Sequence, residues 1–129
     1  MSRRLKPEDV TFTVTAEPED MPIEGNALAS GDDAEDERCY AEIRDQLDRG
    51  NEWAWCSVKV AASISVTIKR KGRVDEVVML EGCDYLGCCS YKNKADFCEP
   101  GGYFDDMKAE ALDDLQAKVD AVAGMVCHA

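Results

Sequence analysis

The side chains in this chain whose types and spacing could do chemistry are its carboxylates. Asp106, Glu110, Asp113 and Asp120 recur at three-, four- and seven-residue steps, which lines them along one helix face with neighbouring Cβ atoms about 5–6 Å apart. Asp105 and Asp114 adjoin that row. A second set, Asp32, Asp33, Glu35, Asp36 and Glu37, ends a stretch that begins at Glu17 and is first offset by Arg38. Duplex DNA carries a charge about every 3.4 Å of axis on each strand, so carboxylates held in rows by a folded scaffold present a comparable field. Acidity of this density repels phosphate and attracts basic protein surfaces. The competing reading is a solvated face that keeps the chain dissolved, and Lys108 and Lys118 interrupt the later row. The same acids offer many general acid–base pairs, and spacing singles out none of them.

Nucleophile and metal chemistry find less support. Seven cysteines are present, and Cys83, Cys88, Cys89 and Cys98 cluster, but zinc sites usually pair ligands as C-x2–4-C, and adjacent residues of a strand point to opposite faces. Small buried thiols are the competing reading. The only histidine, His128, stands next to the end of the sequence, where it is poorly placed to activate a thiol. No GxSxG, HExxH, phosphate-loop or dinucleotide fingerprint occurs. The expectation is a non-enzymatic protein without metal or cofactor. Trp53 and Trp55 fall on the phase opposite the aliphatic row of the strand that follows them. They form either an aromatic patch that anchors a partner, with Tyr85 or Tyr91, or a buried pair beneath the N-terminal segment or first helix.

Several elements must position these groups. Val10, Phe12, Val14 and Ala16 alternate with threonines, the period-two signature of a half-buried strand. Residues 17–31 carry prolines, glycines and acids without period and read as a solvated connection. Ser30, Asp32 or Asp33 can cap a helix that Arg49 and Gly50 close, with a narrow apolar stripe of Cys39, Tyr40, Ile43 and Leu47. Cys56, Val58, Val60, Ala62, Ile64, Val66 and Ile68 then alternate with small polar residues to form the strongest strand signal. Lys69, Arg70, Lys71, Gly72 and Arg73 fit a hairpin tip, 77–80 a returning strand, and 85–91 a further short one. After Pro100, Gly101 and Gly102, the recurrence of Phe104, Met107, Ala111, Leu115, Val119, Val122 and Val126 marks an amphipathic helix that Gly124 ends or frays. The predicted architecture is α+β: an antiparallel sheet of three to four strands with two helices on one face, in the order β-α-β-β-(β)-α.

The length of 129 residues fits a single domain spanning 1–129, with 1–8 and 17–31 as mobile stretches. No apolar run reaches the roughly 20 residues of a membrane span, and the first residues lack the apolar centre of a signal peptide. A soluble, cytoplasmic protein with reduced thiols is expected. The formal charge of −12 makes direct binding to nucleic acid or an anionic membrane unfavourable, because affinity there rests on neutralising phosphates.

Gly25-Asn26-Ala27 leading to Ala29-Ser30-Gly31-Asp32-Asp33, Gly50-Asn51 before Trp53-Ala54-Trp55-Cys56, Tyr85-Leu86-Gly87-Cys88-Cys89-Ser90-Tyr91 and Gly102-Tyr103-Phe104-Asp105-Asp106-Met107 together resemble a group of small acidic proteins of unassigned function carried by plasmids, phages and other mobile elements. The resemblance runs from Gly25 to Leu115 and brings no catalytic residue. It implies a setting in which small acidic proteins block host nucleic-acid-handling enzymes. The element order after the first strand also resembles the αβββα order of double-stranded RNA-binding domains. Those domains grip phosphates with basic residues at the start of the last helix, where this chain has Asp105 and Asp106.

The expected function is inhibition of a host defence protein of restriction or CRISPR type by occupation of a basic surface, as a nucleic-acid mimic. The expected contact residues are Asp32, Asp33, Glu35, Asp36, Glu37, Asp106, Glu110, Asp113 and Asp114, with Trp53 and Trp55. Two alternatives stay open: a module that assembles with itself, as a homodimer for example, and a metal- or redox-responsive protein using Cys83 to Cys98.

Overall fold

The computed structural model describes residues 4–27, 32–69 and 71–127, with side chains through Ala123. Ser30, Gly31, Arg70 and His128, which enter the sequence argument, lie outside the described residues. Strands β1 (Thr11–Pro18), β2 (Cys56–Ile68) and β3 (Glu76–Cys89) form one antiparallel sheet in the order β1-β2-β3. With helices α1 (Asp33–Asp48), α2 (Lys94–Phe97) and α3 (Phe104–Cys127), the fold is α+β.

Local chemistry explains most element boundaries. In β1, Thr11, Thr13 and Thr15 face water while Val14 is buried, as strict alternation requires. The Asp32 carboxylate caps α1 by accepting the amides of Ala34 at 3.0 Å and Glu35 at 3.2 Å. At its other end Gly50 takes φ +90°, a left-handed turn open to glycine at little cost. Two elements differ from expectation. The strands expected at 77–80 and 85–91 are one continuous strand, because Gly82 between them does not break pairing. Helix α3 also runs through Gly124 to Cys127, since one glycine costs a helix only about 1 kcal/mol relative to alanine.

The chain gathers into two compact units. The first comprises Met1–Thr13, Val60–Asp84 and Asp106–Ala129. Here α3 crosses β3 so closely that a Cβ on Gly82 would lie 2.2 Å from the Leu115 amide nitrogen. Ala111 and Leu115 of α3, and Val60 and Ala62 of β2, are wholly buried. The N-terminal stretch is tied in at Leu5, which is buried and donates its amide to the Gln116 side chain at 2.6 Å.

The second unit comprises Val14–Lys59 and Tyr85–Asp105. Its core joins Ile23, Tyr40, Ile43, Ala54 and Trp55. Beside Trp53, an aromatic cluster forms around Phe97 of α2, with Tyr91 edge-on at 5.0 Å and Phe104 at 5.9 Å between centroids. The connection after β1, which composition alone assigns to solvent, is pinned from within: Ile23 is buried, the Trp55 indole donates to the Met21 carbonyl at 2.9 Å, and the Gly25 amide donates to the Tyr40 hydroxyl at 3.2 Å.

Candidate functional site

The two acidic sets are held on separate helices, and the structure divides each by what its carboxylates face. On α1, Asp32 is occupied as the cap and Glu35 pairs with Arg38 at 2.6 Å. Asp36 is half-buried. Asp33 and Glu37 are exposed and have no ion-pair partner among the described residues. The arginines of this region are engaged as well, Arg44 with Glu24 and Arg49 with Asp45 at 3.0 Å.

On α3, Asp106 and Glu110 are exposed without an ion-pair partner among the described residues. Asp113 meets Arg4 at 3.3 Å, with both side chains largely in water, where a pair contributes little. These three share one face, successive carboxylates being displaced along the axis by about 6 Å and about 4.5 Å. Asp120, further along, accepts from Gln116 at 3.0 Å.

Asp114 is a correction to the expected contact set. Its carboxylate accepts the Cys83 backbone amide of β3 at 2.9 Å and lies 3.4 Å from Lys118, which itself donates to the Glu81 carbonyl at 2.7 Å. The Cys83 amide, followed by Lys118, holds the Asp114 carboxyl below its ordinary range. This acid closes hydrogen bonds of an outer strand and is not spare for a partner.

Trp53 and Trp55 are a second correction, because both are buried, with 9% and 6% of their surface exposed. The alternation of β2 does not extend back to them. Asn51 accepts the Trp53 amide at 3.2 Å and starts a short 3-10 turn, Glu52–Ala54, that turns both indoles inward. Large aromatics in such positions serve the core.

A cleft of the second unit, about 480 Å³, is lined by Glu42, Gln46, Asn51, Tyr91, Lys92 and Asp96 among others. Its polar groups largely satisfy one another. Asn51 donates to the Lys92 carbonyl at 3.2 Å, the Lys92 amide donates to Asp96 at 3.0 Å, and the Tyr91 amide donates to the Trp53 carbonyl at 2.8 Å. Burial pushes the Tyr91 hydroxyl up.

The thiols are similarly quiet. Burial, reinforced by Cys89, pushes Cys56 up to about 12, and burial also raises Cys88 and Cys89, so these remain thiols at neutral pH. Cys88 sits at φ 56°, the one non-glycine residue with positive φ among the described residues. Sequence reasoning passed over its partner, Glu19, whose carboxylate accepts the Cys88 amide at 2.5 Å and the Met21 amide at 3.2 Å. Those backbone donors, Cys88 first, hold Glu19 below its ordinary range. Among the described residues no three His, Cys, Asp or Glu side chains gather as metal ligands, and no helix is long and apolar enough to cross a membrane. Comparison with known proteins finds no family model, curated protein or solved structure that matches the chain.

Proposed function

We propose that this chain is a non-enzymatic, mobile-element protein that occupies a basic surface on a host nucleic-acid-binding defence protein, of restriction or CRISPR type, as a mimic of nucleic acid. The observation that carries this reading is the ridge Asp106, Glu110 and Asp113 on α3, a helix seated directly on the backbone of β3 at Gly82. A helix already seated pays no backbone ordering cost on binding. Asp33 and Glu37 supply a second exposed acidic surface on α1. Support also comes from the cations: Arg4, Arg38, Arg44, Arg49 and Lys118 are in intrachain pairs. The net charge of −12 steers such an encounter and makes it fast and salt-sensitive.

The test is recovery of the tagged chain with its bound protein from a bacterial host, followed by competition with duplex DNA or RNA. Replacing Asp106 and Glu110 together by lysine, or Asp33 and Glu37 together, slows association at least about tenfold. Capture that ignores both reversals and a rise in salt from about 0.05 M to about 0.5 M removes the proposal.

A further inference from the structure

Strand β3 is an outer strand of the sheet, and an outer strand presents a row of backbone donors and acceptors able to pair with another chain. Part of this row is closed from within. Lys118 covers the Glu81 carbonyl and Asp114 covers the Cys83 amide. Backbone groups of alternate residues point to the same edge of a strand, so Val77 and Met79 turn theirs to that same side. There no strand pairs with them among the described residues. Their side chains are also unusual for this chain: Val74, Val77 and Met79 are 90%, 69% and 64% exposed. The other outer strand, β1, shows water Thr11, Thr13 and Thr15 instead.

We infer that the edge from Asp75 to Met79 is a pairing site for a second copy of this chain, joined antiparallel about a two-fold axis at Val77. Charge selects both the occupant and the register. With the axis at Val77, that residue faces its counterpart; pairing that extends the strand back through residues 73–75, a bend and open chain just before β3, sets Asp75 against Met79 and Arg73 against Glu81 at both ends of the ladder. Directly opposed charges of opposite sign favour a cross-strand pair. Moving the axis to Asp75 sets that carboxylate against itself, and moving it to Met79 leaves Arg73 opposite Tyr85. Arg73 is exposed, with no ion-pair partner among the described residues. The closure at Glu81 and Cys83 keeps the ladder short and stops it from propagating into an open fibre.

So short an interface falls below the size of standard stable complexes, and the dimer is correspondingly weak. Two chains of charge −12 also repel, so added salt strengthens self-association while it weakens binding to a basic partner. The opposite salt responses make this inference separable from the proposed function.

Sedimentation equilibrium of the whole chain, from about 10 µM to about 1 mM at low and high salt, tests the pairing. The expected result is a monomer–dimer equilibrium that salt shifts toward dimer. Val77→Lys, which opposes like charges at the axis, removes the dimer, and its exposed position leaves the thermal melt of the monomer in place. Arg73→Glu weakens the dimer at least about tenfold, and adding Glu81→Arg to it restores the wild-type constant. A monomer throughout the range at high salt overturns the inference, as does a Val77→Lys variant that dimerises normally or a charge swap that fails to restore association.

Discussion

Replacing Gly82 with alanine puts the seating of α3 under direct test. The added Cβ would lie 2.2 Å from the Leu115 nitrogen, 2.4 Å from the Ala111 carbonyl oxygen and 2.7 Å from the Leu115 Cα. All three are main-chain atoms, so no rotamer change relieves the overlap. The strand and helix must separate by most of an ångström, and they do so at Ala111 and Leu115, both wholly buried. Overpacking a closed core costs about 1–3 kcal/mol and occasionally more. Main chain on both sides places this substitution at the upper end, about 3 kcal/mol. In a chain of 129 residues each kcal/mol moves the melting midpoint by about 3–5 °C, so a loss of about 10–15 °C is expected by circular dichroism. The Cys83 amide should also exchange its hydrogen faster, since separation stretches its bond to Asp114. Gly87→Ala is the matched comparison: its Cβ would meet only the Glu19 side-chain oxygen, at 3.0 Å, and should cost far less. A Gly82→Ala protein melting within about 1 °C of wild type would refute the close approach itself, and with it the anchored ridge.

Acid should unfold the protein partly through Glu19 and Asp114, whose folded carboxyls lie below their ordinary values of 4.5 and 3.8. A depressed folded value stabilises above the ordinary value and loses that stability as pH falls through the folded one. Urea midpoints measured from pH 7 to pH 2 should therefore decline less steeply in Glu19→Gln and Asp114→Asn, and unchanged slopes would count against both hydrogen-bond assignments. Asp114→Asn should cost about 1 kcal/mol at neutral pH after allowance for solvent, whereas Asp106→Asn should leave the melt within about 0.5 kcal/mol; equal effects would contradict the division of the α3 acids. Alkylation at pH 8 followed by peptide mapping should spare Cys56 and Cys89, which are 0% and 5% exposed, and modify them only after denaturation. Trp55→Ala should cost about 3–5 kcal/mol and quench no interface, a result visible as lost folding rather than lost binding.

Features that depend on neighbours in sequence were legible before the fold was known. Period two placed β1 and β2, and the cap at Asp32 with the turn at Gly50 bounded α1, because each signal sits inside its own element. The continuity of β3 through Gly82 was not legible in this way, and strands at 77–80 and 85–91 were expected instead. A glycine in a strand pattern looks like an interruption, yet the need for it comes from Leu115 and Ala111, whose approach no local pattern records. The tryptophans were legible only as a choice between an exposed patch and a buried pair: the chain turns at Glu52–Ala54 and takes the second, with Trp53 by Phe97 and Trp55 by Ile23. The helical spacing of Asp106, Glu110, Asp113 and Asp114 was readable, but the partner of Asp114 is a backbone amide on β3, a group that carries no sequence signature at all.

That last point governs what negative charge can mean here. A carboxylate that already accepts a strand amide and sits beside a lysine has part of its charge answered within the chain, and pulling it toward a partner strains a bond whose loss leaves the amide unsatisfied. The charge available to a partner is therefore smaller than the formal count. Among the acids expected to make contact, it narrows on α3 to Asp106 and Glu110, with Asp113 released from Arg4 at little cost, and on α1 to Asp33 and Glu37. Reversing every acid at once would confuse the two populations, because losing Asp114 leaves the Cys83 amide of β3 without its acceptor and loosens the strand against the helix that displays the others. Binding that survives reversal of Asp106 and Glu110 but fails with Asp114→Asn would mean that the helix matters as a strut. Binding lost with Asp106 and Glu110 while the melt stays put would locate recognition in the ridge.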